Sequence, residues 1–284
     1  MFILIPTCDA YASIASISLT LVQRYWPDHP IAHVLHHAVV PRIGSGDRVE
    51  PHDCGTDASS WVGNIARFLE RRTDELFLFM LDDYGLYAPV QNETIATAVR
   101  LMEADRRVGI FALSWYPARE RVARDGWPGV ETLAGVPILL QAAIWRRDAF
   151  LDLARSMDPR TSPHGFERLA TQRARGRGIE VCGARLAAPK WVGGHFLDGL
   201  DKRDWPLPYH NLMHAGRLDP RHEPFLRAEG LAPPPQGLGD TVERIARATG
   251  IAKMAKRVSD ATGRDCGCDR RRQTLNRWVP YKTE

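Results

Sequence analysis

The stretch Glu75-Leu-Phe-Leu-Phe-Met-Leu-Asp-Asp-Tyr-Gly-Leu-Tyr-Ala-Pro-Val90 decides how the fold is read. The six apolar residues Leu76 to Leu81 run unbroken into Asp82 and Asp83. A short continuous apolar run fits a strand buried on both faces, as in the middle of an α/β sheet. Open α/β sheets bind ligands outside the carboxyl ends of their strands, where this acidic pair emerges. Two carboxylates there offer hard oxygen ligands to Mg²⁺ or Mn²⁺, ions that commonly hold substrate phosphates. Taken alone, the pair also fits an acidic turn that ends a core strand.

The segments on either side alternate strand and helix. Phe2–Pro6 reads as a first strand, and Tyr11–Tyr25 as a helix with Ile14, Ile17, Leu21 and Val22 on one stripe, closed by Trp26-Pro27-Asp28. Ile31–Val40 reads as a second strand. Its histidines 33, 36 and 37 do not share a face, which argues against a three-histidine metal site. Residues 41–57 read as a polar connection. Ser59 or Ser60 caps a helix whose stripe is Val62, Ile65, Phe68 and Leu69. After the opening strand come a helix from Asn92 or Glu93 to Ala104 and a strand over Val108–Leu113. This alternation predicts a mostly parallel sheet covered on both faces. Residues 117–137 read as irregular, Val136–Trp145 as β-like and Asp148–Met157 as a helix. Ser162 opens a further helix, and Ile179–Cys182 reads as a late strand. Residues 187–235 are rich in Pro, Gly, His and Trp and read as loop, with a lid over a site as one use for them.

Composition bounds the rest. The 284 residues suffice for one α/β domain with a small appendage. The triple proline 233–235 marks the boundary, giving residues 1–235 and 236–284. No apolar run reaches the ~18–20 residues of a membrane span, and Met-Phe-Ile-Leu-Ile-Pro lacks the basic start of a signal peptide, so a cytoplasmic protein is expected. Five scattered cysteines suggest reduced thiols rather than a disulfide framework. The net charge of +4 is uneven, since residues 240–284 carry 11 Lys and Arg against 6 Asp and Glu. That basic tail, with Trp278 and Tyr281, suits a nucleic-acid backbone or an acidic partner. It also fits a solvated helix or a homo-oligomer contact. Its apolar positions Val242, Ile245, Ile251, Met254 and Val258 are expected to face inward, and Cys266 with Cys268 supplies only half a tetrahedral zinc site.

The order of motifs resembles a family of bacterial and phage glycosyltransferase-like proteins with the GT-A fold, over about residues 1–220. The likeness rests on Ile5-Pro6-Thr7-Cys8-Asp9-Ala10-Tyr11, Arg24-Tyr25-Trp26-Pro27-Asp28, Asp57-Ala58-Ser59-Ser60-Trp61, Met80-Leu81-Asp82-Asp83-Tyr84, Leu140-Gln141-Ala142-Ala143-Ile144-Trp145-Arg146-Arg147 and Ser162-Pro163-His164-Gly165-Phe166-Glu167. The tail resembles a small Cys-Gly-Cys module followed by Asn-x-Trp. The resemblance implies a Rossmann-like sheet and transfer of a sugar from a nucleotide-diphosphate sugar, with a UDP-sugar as expected donor. The acceptor would be a surface glycan or a modified base in nucleic acid. Thr7, Asp9 and Tyr11 would meet base and ribose, and Asp57, Trp61 and Asn64 would complete that pocket. Asp83 would hold Mn²⁺ or Mg²⁺, with Asp82 on the metal or ribose and His195 as a late ligand, although His210 and His214 compete for that role. The family motif is often Asp-x-Asp, whereas this chain has Asp-Asp-Tyr. Glu167 would be the general base and Trp145 an acceptor platform. The alternatives are a non-catalytic nucleic-acid-binding or assembly protein and a metal-dependent phosphohydrolase.

Overall fold

A computed structural model describes residues 1–42, 48–55, 57, 59–186, 202–214, 216–231, 237–251, 254 and 267–279. The chain forms two compact units, Met1–His222 and Glu223–Glu284.

The first unit is a mixed α/β sheet flanked by helices. In chain order its elements are β1 (Phe2–Pro6), α1 (Ala12–Tyr25), β2 (Ala32–His36), β3 (Val49–Asp53), α2 (Trp61–Glu70), β4 (Leu76–Phe79), β5 (Tyr84–Leu86), α3 (Asn92–Ala104) and β6 (Val108–Ala112). They continue with β7 (Glu120–Ala123), β8 (Val130–Ala134), β9 (Ala143–Arg146), α4 (Arg147–Arg155), α5 (Pro163–Arg177), β10 (Glu180–Ala184), β11 (Tyr209–Asn211), β12 (Met213–His214) and β13 (Arg217–Leu218). The main sheet has the order β3-β2-β1-β4-β9-β6-β10-β8-β7. The pairs β3–β2, β2–β1, β1–β4 and β6–β10 are parallel, and β9 runs antiparallel between β4 and β6.

The physical cause is visible in β1 and β4. Every residue from Phe2 to Pro6 and from Leu76 to Phe79 is buried, because helices cover both sides. Helices α2, α4 and α5 pack together over the core that holds Phe77, Phe79, Trp145, Phe150 and Phe166. Ser162 caps α5 by accepting the Gly165 N–H at 3.2 Å, with Pro163 at the first helical position.

Three strands depart from the sequence reading. The stretch 41–57 contains β3, whose Val-Glu-Pro-His-Asp is half exposed at the sheet edge and carries a proline, so it lacks a buried strand's apolar signature. The stretch 117–137 contains β7 and β8, an antiparallel edge pair. Conversely, only the last residues of Val136–Trp145 form a strand, β9.

In the second unit, α6 (Glu223–Ala228) comes first, and α7 (Leu238–Ala248) pairs with a C-terminal helix, Cys268–Trp278. Asn276 Oδ1 accepts the Asp240 N–H at 3.0 Å and its amide nitrogen donates to Asp240 Oδ1 at 2.8 Å, so the tail asparagine caps α7. A Cβ on Gly239 would stand 2.0 Å from the Arg272 carbonyl oxygen, which explains a glycine there. The expected inward stripe is corrected, because Val242, Ile245, Ile251 and Met254 are exposed. Val258 and the triple proline lie outside the described residues. The expectation of reduced thiols holds for Cys8, Cys54 and Cys182 and is corrected for Cys268, which is disulfide-bonded. No described helix is long and apolar enough to cross a membrane.

Candidate active site

The strand order reverses between β1 and β4. From β1 the chain steps outward to β2 and β3, then returns through α2 to place β4 on the other side of β1. A crevice opens at such a switch point, at the carboxyl ends of the two strands. Thr7 and Asp82–Asp83 emerge there.

Asp82 is buried and Asp83 half-buried, and both carboxyls titrate high. Burial pushes Asp82 up to about 7, the Thr7 hydroxyl draws it back by hydrogen bonding, and the Asp83 charge raises it again. Burial likewise lifts Asp83 to about 6, against its own backbone N–H, the Met213 N–H and the Lys202 charge. Asp83 Oδ1 is buried with no hydrogen-bond partner. An uncompensated carboxylate oxygen in such a place is costly unless a cation or proton meets it.

A segment from far along the chain packs beside the aspartates. Strand β11 pairs antiparallel with β5, directly after the aspartates, and the Leu212 N–H extends the ladder to the Asp83 carbonyl at 2.8 Å. Tyr84 and Tyr209 stack across that pair at 4.1 Å between centroids. Lys202 is only 3% exposed; its Nζ lies 4.8 Å from the Tyr209 ring centroid and 5.1 Å from that of Trp205. A buried ammonium over two aromatic faces is held by cation–π attraction and by the nearby carboxylate. Sequence reasoning missed Lys202, Tyr209 and the Met213 N–H, because they fall in the Pro- and Trp-rich stretch that read as loop.

The other expected site residues divide. The Tyr11 hydroxyl is raised by burial and then by the charges of Asp82, Cys8 and Asp83. Asp9 turns to the neighbouring loop, accepting the Val39 N–H at 2.8 Å. Asp57 is exposed and takes the Ser59 hydroxyl at 2.5 Å. Asn64 is buried, donates to the Asp57 carbonyl at 3.2 Å and accepts from Arg67, so both ends of its amide are engaged. Glu167 sits near the start of α5 with Oε1 2.7 Å from the Leu140 nitrogen and Oε2 3.6 Å from His164.

One aromatic expectation is corrected. Trp145 is fully buried in β9 with edge-on contacts to Phe150, so its faces are closed to an acceptor. Trp61 is half-buried and packs edge-on against Phe79 and Phe166. His195 lies outside the described residues. His210 stacks between Tyr87 at 4.1 Å and His222 at 4.6 Å. Among the described residues no third His, Cys, Asp or Glu joins the aspartate pair as a ligand set. The pair still fits a divalent ion, because the orphaned Asp83 oxygen is a hard donor and substrate phosphates and water complete such shells.

No protein-family model matches the chain, and no curated protein matches it. Among solved structures it is similar to a cytidylyltransferase from Leptospira borgpetersenii serovar Hardjo-bovis (strain JB197). There the identity is 11% and the TM-score 0.40, over 62% of this chain and 71% of that one. It is also similar to CMP:2-keto-3-deoxy-manno-octonic acid synthetase complexed with CTP, with 11% identity and a TM-score of 0.37 over 67% and 92% of the two chains. A third similarity is to galactosyltransferase LgtC in complex with donor and acceptor sugar analogs, with 12% identity and a TM-score of 0.37 over 65% and 73%. Likenesses this distant carry no chemistry to the chain.

Proposed function

We propose that the protein is a metal-assisted glycosyltransferase that uses a nucleotide-diphosphate sugar. The observation that carries this reading is the pair Asp82–Asp83 at the switch point, with one buried carboxylate oxygen left unpartnered. Thr7 and Tyr11 would line the nucleoside end of the crevice, joined by Asp9 and Asp57 from neighbouring loops. Asp83, with Asp82, would hold Mn²⁺ or Mg²⁺, which when bound supplies positive charge to the departing diphosphate. Lys202 adds a second fixed cation beside the pair.

In the transfer, the bond between the anomeric carbon and the diphosphate oxygen breaks and a bond to the acceptor oxygen forms. Glu167 takes the acceptor's proton on Oε2, while the Leu140 N–H holds Oε1 and so orients the carboxylate. The acceptor is a glycan hydroxyl or a nucleic-acid base, the latter favoured by the positive balance of residues 240–284. A metal-dependent phosphohydrolase fits less well, since such enzymes commonly hold their metal with more ligands than two carboxylates.

The test is a thermal-shift screen of nucleoside diphosphates and their sugars, with and without Mn²⁺, on wild type and Asp83→Ala. A donor at 100 times its dissociation constant adds about 2.7 kcal/mol of stability. Metal-dependent stabilisation of the wild type that Asp83→Ala loses is the expected result. The absence of any shift at millimolar ligand would refute the reading.

A further inference from the structure

Strands β2 and β3 carry a second cluster, away from the aspartates. His33 and Glu50 are register partners, and His52, two residues along β3, faces the same side. His33 Nδ1 lies 2.8 Å from His52 Nε2 and 3.2 Å from Glu50 Oε2, and the third edge of the triangle is 3.8 Å. Ligand atoms about 2.0–2.1 Å from a tetrahedral zinc ion stand roughly 3.3–3.4 Å apart, a span these three edges bracket.

We propose that His33 Nδ1, His52 Nε2 and Glu50 Oε2 form a Zn²⁺ site with its fourth position open to water. His33 is buried, whereas His52 is partly exposed and Glu50 half exposed, so an ion enters from one side and meets a fixed ligand at the back.

Arg72 sets the terms of loading. Its Nη2 stands 2.9 Å from His33 Nε2. A guanidinium can only donate, so without metal Nε2 is the bare nitrogen and the ring proton is on Nδ1, pointing into the triangle. When zinc binds Nδ1, that proton leaves to solvent and another is taken up at Nε2, so the ring stays neutral. Arg72 must then turn away, and Asp74 Oδ2, already 3.8 Å from Nη2, receives it. Arg72 therefore opposes the ion, and Gln at this position, whose amide oxygen accepts the Nε2–H, removes the opposition. A bound ion would clamp β3, the polar, proline-bearing edge strand, onto β2.

The test is zinc titration calorimetry on the full chain after chelator treatment, with Co²⁺ absorption as a spectroscopic check and circular dichroism to confirm folding of each variant. One ion per chain is expected, with affinity reduced at least ~10-fold in His52→Gln and in Glu50→Gln. Tetrahedral Co²⁺ bands are expected in wild type and absent from His52→Gln, and Arg72→Gln should tighten binding several-fold. Failure of wild type to take up zinc at micromolar metal overturns the proposal. So does uptake unchanged in both ligand variants, or weaker binding in Arg72→Gln. None of these outcomes depends on nucleotide or on Asp83, so they are independent of the glycosyltransferase reading.

Discussion

Tyr84 and Glu167 meet at a single residue, Leu140. The Tyr84 hydroxyl donates to the Leu140 carbonyl at 2.8 Å, and Glu167 Oε1 accepts the Leu140 N–H at 2.7 Å. On either side, the Tyr116 hydroxyl donates to the Leu139 carbonyl at 2.9 Å, and the Tyr209 hydroxyl donates to Gln141 Oε1. The segment before β9 is thus strapped by four side chains from four parts of the chain. The strap joins the carboxylate assigned the base role to the residue that follows the aspartate pair.

Glu167 therefore has two separable tasks, and two substitutions divide them. Glu167→Gln keeps an oxygen for the Leu140 N–H and should unfold within about 1 kcal/mol of wild type, yet lower turnover by about 10²-fold or more. Glu167→Ala should lose both turnover and about 1–3 kcal/mol of stability, because the Leu140 N–H is left unsatisfied. Full turnover in Glu167→Gln, measured with whichever donor the thermal screen identifies, would leave the residue only its strapping task.

Tyr84→Phe isolates the other half of the strap. It keeps the ring stacked on Tyr209 and removes the hydroxyl, orphaning a buried carbonyl oxygen at a cost of about 1–3 kcal/mol. Urea unfolding of the variant measures the loss, and an unchanged midpoint would show that the hydrogen bond adds nothing.

The aspartate pair makes stability depend on pH in a direction opposite to ordinary surface carboxylates. Both groups titrate above the usual 3.8, so the folded chain keeps protons that the unfolded chain has released. Their contribution is present below about pH 4 and is lost as pH rises toward 7. Asp82→Asn removes one of the two charges. It should gain stability over wild type between pH 4 and pH 8, by at most roughly 4 kcal/mol at 1.36 kcal/mol per pKa unit. Parallel melting curves for the two proteins across that range would contradict this.

Metal binding should show the same protons. A divalent ion at Asp83 needs the ionised carboxylate, so Mn²⁺ affinity should rise up to tenfold per pH unit from about pH 5 and level off above about pH 7, for each proton displaced. Calorimetry in buffers of different ionisation enthalpy counts the released protons directly. A flat affinity across this range would place the ion elsewhere.

How much was legible depended on what each segment buries. Leu76–Phe79 and Phe2–Pro6 declared themselves because both faces are covered, which leaves an unbroken apolar run. Val49–Asp53 did not, since an edge strand exposes one side and tolerates Pro51. The aspartates were legible as a strand end, yet Lys202 was not: its position depends on β11 joining β5, a pairing with no local signal. Trp145 misled for a related reason, because a tryptophan on an antiparallel central strand looks the same in sequence whether its faces meet a ligand or Phe150. His33, Glu50 and His52 come together only through the register of two parallel strands, one of which had read as loop.

Lys202 and the Met213 N–H also set when the crevice comes into being as the chain folds. Each approaches Asp83 across more than a hundred intervening residues, so its arrival must first overcome the entropy of closing a long loop. The β1–β4 core and its helices depend on nearer neighbours and should assemble earlier. Until the late segment docks, two adjacent acidic groups stand at a strand end with no ammonium beside them. Ligand binding at the aspartates would then lag behind compaction during refolding, as a slow phase absent from far-ultraviolet dichroism.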